Sequence, residues 1–183
     1  VLGGIARHPY STVDSLALVA CHELGHFLGE KPSYANSWAS SEGQSDYFGA
    51  LKCFKKVFEH DDNVVIVSGL SVDPYAKSEC SRLYPTDVNG NALCQRTAMA
   101  GLDLGKLLAS VTRIDPNLIR LDTPDTTVVT ATSSAHPGAQ CRVDTYFAGA
   151  LCPISPHLDF DPNDVNINAC THTLPSHLHI TAR

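Results

Sequence analysis

The stretch TVDSLALVACHELGHFLG, residues 12–29, decides how the rest of the chain is read. It is apolar and free of proline. Ser11 with Asp14 three residues on forms a capping-box variant before it, and Gly29 offers a stop after it. The pattern predicts a helix from about Thr12 to Leu28. On a helix, residues four apart share a face, so His22 and His26 aim their imidazoles at one point. Glu23 is turned about 100° from His22, near that point without joining the same row. Two histidines and a glutamate inside so apolar a segment carry a desolvation cost with no evident return unless they perform chemistry. H-E-x-x-H on a helix reads as two zinc ligands, His22 and His26, with Glu23 as general base for a water whose pKa zinc lowers to about 7.

A catalytic zinc takes a third protein ligand and leaves one position open. EGQSD, residues 42–46, supplies Glu42 and Asp46, again four apart. Glu42 is expected as the third ligand. Asp46 is expected to orient a ligating histidine by accepting its other ring N–H. Both stand at the start of a second expected helix, from about Ser41 to Glu59, whose Tyr47, Phe48, Leu51, Phe54 and Phe58 recur at three- and four-residue steps.

Elsewhere the pattern is plainer. Leu2 to Pro9 reads as extended, and residues 60–95 as largely loop, with Val64 to Val67 either a strand or a helical turn. A third helix is expected from Arg96 to Val111, with small residues Ala98, Gly101, Gly105 and Ala109 forming a stripe for close packing. A second strand is expected at Thr126 to Thr132, and a fourth helix from Pro137 to Leu151. The chain divides into a catalytic domain, residues 1–152, and a polar tail rich in Pro, His and Asn, residues 153–183. The tail histidines His172, His177 and His179 read as part of a polar segment rather than a metal site.

H-E-x-x-H followed by E-x-x-x-D on a second helix resembles the gluzincin zinc peptidases. HPGAQCRV, residues 136–143, is similar to the H-P-P-x-x-x-R-I element of the HtpX/Oma/prenyl-protease family, in the same order along the chain. The resemblance covers three short segments. It departs at Gly138, which replaces the second proline, and in the absence of membrane spans, so the chain looks like a compact minimal gluzincin. The resemblance implies an α+β, helix-rich fold with a small edge-strand sheet on the two zinc helices. It implies that His136 donates a hydrogen bond to the oxyanion, a contribution of roughly 3–4 kcal/mol for a preorganised donor. It also implies that substrate lies along an edge strand at Leu2 to Arg7, placing Gly4 and Ile5 against the peptide backbone. Arg142 either pairs with a carboxylate or touches substrate, and Tyr146 and Tyr47 are second donors or core aromatics.

Composition bounds the reading. The chain has 183 residues and a formal net charge of -6, with no basic run that suggests nucleic acid. No apolar stretch reaches the ~18–20 residues that span a bilayer. The chain opens at Val1 without an initiator Met or signal-peptide pattern, which reads as a processed form or a fragment. Seven cysteines with no C-x-x-C pair point to disulfides and an extracytoplasmic setting, secreted or periplasmic, rather than a four-cysteine zinc site. A Cys80–Cys94 pair, across a Pro/Asn/Gly-rich loop, is geometrically easy. Cys141 and Cys152 are about 16 Å apart on one helix and cannot pair with each other. The odd count leaves at least one thiol outside any internal pair. The function expected is a zinc metallopeptidase, an endopeptidase acting on peptide or protein substrates. The same chemistry also suits a non-protein amide such as peptidoglycan, and a zinc-stabilised binding module without catalysis would keep the ligands but give Glu23 no duty.

Overall fold

The computed structural model describes residues 3–30, 33–127 and 135–158. Tail residues 159–183, with His172, His177 and His179, and most of the expected strand at Thr126 to Thr132 lie outside the described residues. The described chain is all-α. It holds α1 (Gly3–Ala6), α2 (Val13–Leu28), α3 (Glu42–Phe48), a π-helical segment (Gly49–Phe54), α4 (Lys55–Phe58), α5 (Asn63–Ser68), α6 (Pro74–Leu83), α7 (Val88–Val111) and α8 (Ala139–Leu151), with a 3-10 turn at Pro116–Leu118. No strand occurs among the described residues, and the one β-bridge joins Ser33 to Ser40.

This corrects the α+β expectation and its edge-strand sheet. Gly4 and Ile5, expected on an edge strand, lie in the single helical turn of α1. The hydroxyl of Ser11 donates to the Ile5 carbonyl and folds that turn back on the chain. Val64 to Val67 is helical as well. Its β-branched residues favour strands only weakly, whereas Asp62 caps the first turn by accepting from Val65 N. The region 60–95 holds two more helix starts of the same kind. Asp73 accepts from Tyr75 N and Ala76 N ahead of Pro74, a favoured first helical residue. Asp87 accepts from Gly90 N and starts α7 eight residues before the expected Arg96.

α7 is the central helix. Its stripe of small residues faces α8 so closely that a side chain on Gly101 would meet Tyr146 Cβ at 2.7 Å, and one on Gly105 would meet Val143. One core layer sets Cys80, Ala98, Leu102, Val143, Phe147 and Leu151 between α6, α7 and α8. The second sets Leu18, Cys21, Ala50, Phe54, Leu104 and Tyr146 between α2, the π segment, α7 and α8. Arg96 locks the outer end of this layer. It pairs with Asp14 and Asp61 at 2.9 and 2.8 Å and lies 4.0 Å over the Phe58 ring.

Two disulfides join described residues. Cys80–Cys94 ties α6 to α7, and Cys21–Cys53 ties α2 to the π segment. Cys152 is also disulfide-bonded, and Cys141 is free. The first six tail residues pack on the domain: Lys52 Nζ donates to the Ser155 and Leu158 carbonyls, and His157 Nε2 lies 2.7 Å from Glu59. No helix among the described residues is long and apolar enough to cross a membrane.

Candidate metal centre

α2 is capped by Thr12 and Ser15 acting reciprocally, one residue later than the Ser11/Asp14 pair suggested by sequence. The cap sets the phase that turns His22 and His26 toward α3. Gly25, between them, is where the two helices come closest. A Cβ there would sit 2.8 Å from both Cα and O of Ser45, so only glycine permits the approach. Gly49 permits a second one, since its Cβ would lie 3.2 Å from His22 N. The π segment starting at Gly49 follows α3 directly, in keeping with the tendency of π turns to fall at functional sites.

The three expected ligands converge. One ligating atom from each of His22, His26 and Glu42 lies within 4.8 Å of the others. His22 Nε2 is 3.4 Å from Glu42 Oε2, and His26 Nε2 is 3.7 Å from Glu42 Oε1. A tetrahedral ion with ligand bonds of about 2.0–2.1 Å requires ligand atoms roughly 3.3 Å apart. Both imidazoles are held by their other nitrogen. His22 Nδ1 lies 2.7 Å from Asp46 Oδ1, while His26 Nδ1 lies 2.8 Å from the Ser40 carbonyl and 2.9 Å from Ser45 Oγ. Each ring therefore keeps its proton at Nδ1 and presents Nε2 toward the shared point. Glu42 Oε2 is the one fully buried side-chain oxygen or nitrogen among the described residues without a hydrogen-bond partner. A buried carboxylate oxygen is costly unless a cation faces it; the cationic groups nearest this one are His22 Nε2 at 3.4 Å and Arg142 Nη2 at 3.8 Å. The group can hold a metal ion.

The electrostatics without metal agree. Burial alone would lower the His22 pKa, but hydrogen bonds to Asp46 and Glu42 outweigh it and raise it to about 9. Burial alone would raise the Glu42 carboxyl, but His22 and Tyr34 hold it down at about 2. Without a metal, the His22 imidazole and the Glu42 carboxylate hold each other in their charged forms.

Asp46 is fully buried, with Oδ1 2.7 Å from His22 Nδ1. It is gripped from behind by Arg142, whose Nε and Nη2 donate to Oδ2 and Oδ1 at 2.8 and 2.7 Å, and by Tyr146 OH at 2.5 Å. This settles Arg142 as a buried ion pair; its Nη2 also stands 3.8 Å from Glu42 Oε2. It corrects the substrate-contact reading of Arg142, which is buried, and the second-donor reading of Tyr146, which has no exposed surface. Tyr47 is a partly buried core neighbour. His136 is 77% exposed at the mouth, with Nε2 3.3 Å from Glu42 Oε1. Glu23 is exposed on α2 beside His22.

Sequence reasoning missed Tyr34. Its hydroxyl donates to Glu42 Oε1 at 2.6 Å and its ring stacks on His26 at 6.0 Å. Burial and this bond push its own pKa up to about 12. It sits in the turn between α2 and α3, where no periodic signal marks it. Ser40, Ser45, Gly25 and Gly49 escaped notice for the same reason: their roles are contacts between segments. The chain matches no known family profile, no curated protein and no solved structure.

Proposed function

We propose that this protein is a zinc-dependent endopeptidase of extracytoplasmic setting. The single observation that carries the reading is that one ligating atom from each of His22, His26 and Glu42 lies within 4.8 Å of the others, with the exposed Glu23 next to His22 in α2. The donor set of two imidazoles and a carboxylate is one that zinc uses in catalytic sites with an open fourth position. Zinc, when bound there, supplies the Lewis acidity that lowers the pKa of a water to about 7 and polarises the scissile carbonyl.

The chain's own residues divide the remaining work. Glu23, free of any ligating duty, takes a proton from the attacking water and returns it to the leaving amine. His136, at the mouth 3.3 Å from Glu42 Oε1, donates to the carbonyl oxygen as it gains charge. Asp46 fixes the His22 ring, and Ser40 and Ser45 fix that of His26. Arg142 and Tyr146 hold Asp46 in place and touch no reacting atom. The disulfides and the lack of a spanning helix among the described residues are compatible with an oxidising, extracytoplasmic compartment.

The test is Glu23→Gln. The variant is expected to bind one zinc with wild-type affinity and to lose peptide hydrolysis by at least about a hundredfold. Unchanged hydrolysis in the zinc-loaded variant refutes the assignment.

A further inference from the structure

The two oxygens of Glu42 stand in unlike surroundings. Oε1 accepts from the Tyr34 hydroxyl at 2.6 Å, with His136 Nε2 at 3.3 Å and His26 Nε2 at 3.7 Å. Oε2 has no hydrogen-bond partner; His22 Nε2 is 3.4 Å from it and Arg142 Nη2 is 3.8 Å from it. A hydroxyl that donates to a carboxylate at about 2.5–2.7 Å makes a charge-assisted bond, roughly twice as strong as a neutral one. The phenol therefore occupies a lone pair of Oε1 and draws charge toward itself. Oε2 keeps its lone pairs free.

Tyr34 can impose this difference because its own position is set elsewhere. It lies in the turn between α2 and α3, and the turn is tied down on several sides. Tyr34 N donates to the Ala39 carbonyl at 2.9 Å, and Ser37 N to the Tyr34 carbonyl at 3.1 Å. Ser40 N donates to the His26 carbonyl at 2.9 Å, and Gln44 Nε2 to the Gly29 carbonyl at 2.6 Å. Farther along the turn, Trp38 packs on Phe27 of α2 with ring centroids 4.9 Å apart. The Tyr34 ring lies along His26, tilted by 24° with centroids 6.0 Å apart. One side chain thus touches two of the three groups that could hold an ion. A donor fixed by its own backbone bonds orients the group it meets instead of following it.

How many oxygens Glu42 offers decides what else an ion can bind. A carboxylate ligates through one oxygen or through both. Two imidazoles and one carboxylate oxygen leave the fourth position of a tetrahedral ion open, whereas a second oxygen would compete for it. Resting on the reading of His22, His26 and Glu42 as a metal centre, we propose that Tyr34 is a positioning residue. It ties up Glu42 Oε1, so that Glu42 ligates through Oε2 alone and one position stays open to an exchangeable ligand.

The experiment is infrared difference spectroscopy, zinc-loaded minus metal-free, on protein labelled with carbon-13 at the glutamate side-chain carboxyl. The separation between the antisymmetric and symmetric carboxylate stretches is wide for a one-oxygen ligand and narrow for a two-oxygen ligand. Wild type should show the wide separation. Tyr34→Phe keeps the ring and removes the donor. Its separation should narrow, and zinc should bind about tenfold more weakly, the scale for losing a partner of a ligand. A narrow separation in wild type overturns the proposal whatever the variant does. So does an unchanged separation in Tyr34→Phe, with or without a change in zinc Kd. A phenolate-to-copper charge-transfer band in the copper(II) form, lost in Tyr34→Phe, would make Tyr34 itself a ligand and overturns it too. Failure of wild type to bind zinc, or equal zinc affinity in Glu42→Gln, would defeat the metal-centre reading itself.

Discussion

Asp46→Asn separates two things that one carboxylate does. Asp46 is fully buried and takes four contacts on two oxygens: His22 Nδ1 at 2.7 Å, Arg142 at 2.7 and 2.8 Å, and Tyr146 OH at 2.5 Å. The substitution keeps the shape but removes the charge, and it sets an amide N–H against an Arg142 donor. Arg142 is itself buried, and the other carboxylate near it, Glu42, stands 3.8 Å away. Breaking a buried ion pair from one side costs about 3–5 kcal/mol. For a chain of this size that lowers Tm by roughly 6–20 °C. Weakening the partner of a ligating histidine also lowers metal affinity by about 10–100-fold, or about 1.4–2.8 kcal/mol. The two effects are read apart by calorimetry of the metal-free protein and by zinc titration against a chelator. Adding Arg142→Met to Asp46→Asn removes the orphaned charge. The double variant should therefore recover much of the Tm and none of the zinc affinity. A zinc Kd within about twofold of wild type in Asp46→Asn refutes the orienting role of Asp46. A Tm loss under about 2 °C refutes the energetic account of the Arg142 pair.

Three further outcomes follow from the same structure. Gly25→Ala ordinarily stabilises a helix by about 1 kcal/mol; here the new methyl would lie 2.8 Å from the Ser45 backbone, so it should destabilise by about 1–3 kcal/mol and weaken zinc binding, measured by thermal melts and zinc titration. Replacing Cys21 and Cys53 together by Ala opens a loop spanning a sequence separation of 32, which should cost about 3–4 kcal/mol in denaturant unfolding and reduce zinc affinity, because Cys21 adjoins His22. Burial raises the Asp144 carboxyl from 3.8 to about 6, against hydrogen bonds from Asp125 N and Gln140. A folded pKa above the unfolded one means that this group's stabilising contribution is present below pH 3.8 and lost as pH rises through 6. Asp144→Asn should flatten the fall in Tm between pH 4 and pH 6.5, and an unchanged slope would contradict the assignment.

The cluster that can hold a metal ion was legible because its residues are local in sequence. His22, Glu23 and His26 fall within five residues of one helix, and Glu42 and Asp46 within five of another, so helical spacing alone places them. The resemblance gave His136 an oxyanion role and did not announce its 3.3 Å approach to Glu42 Oε1. The destination of Arg142 was not legible, since its partner Asp46 is 96 residues away and reaches it only through helix packing. The turn that carries Tyr34 and Trp38 has no periodic pattern to announce it. The helices between residues 60 and 95 were hidden by weighing the β-branched valines toward a strand and by reading the stretch around Pro74, Pro85 and Gly90 as loop. Asp62, Asp73 and Asp87, each capping a first turn, were the better signal. The expected sheet was implied by resemblance and not by alternation in the residues themselves, and α1 stands where its edge strand was placed.

The most direct test of the central claim is zinc K-edge X-ray absorption on zinc-loaded wild-type protein. The account predicts one equivalent of zinc, a first shell of nitrogen and oxygen only at about 2.0–2.2 Å, and outer-shell scattering from two imidazoles. Sulfur scattering at about 2.3 Å, or no stoichiometric zinc, would contradict it.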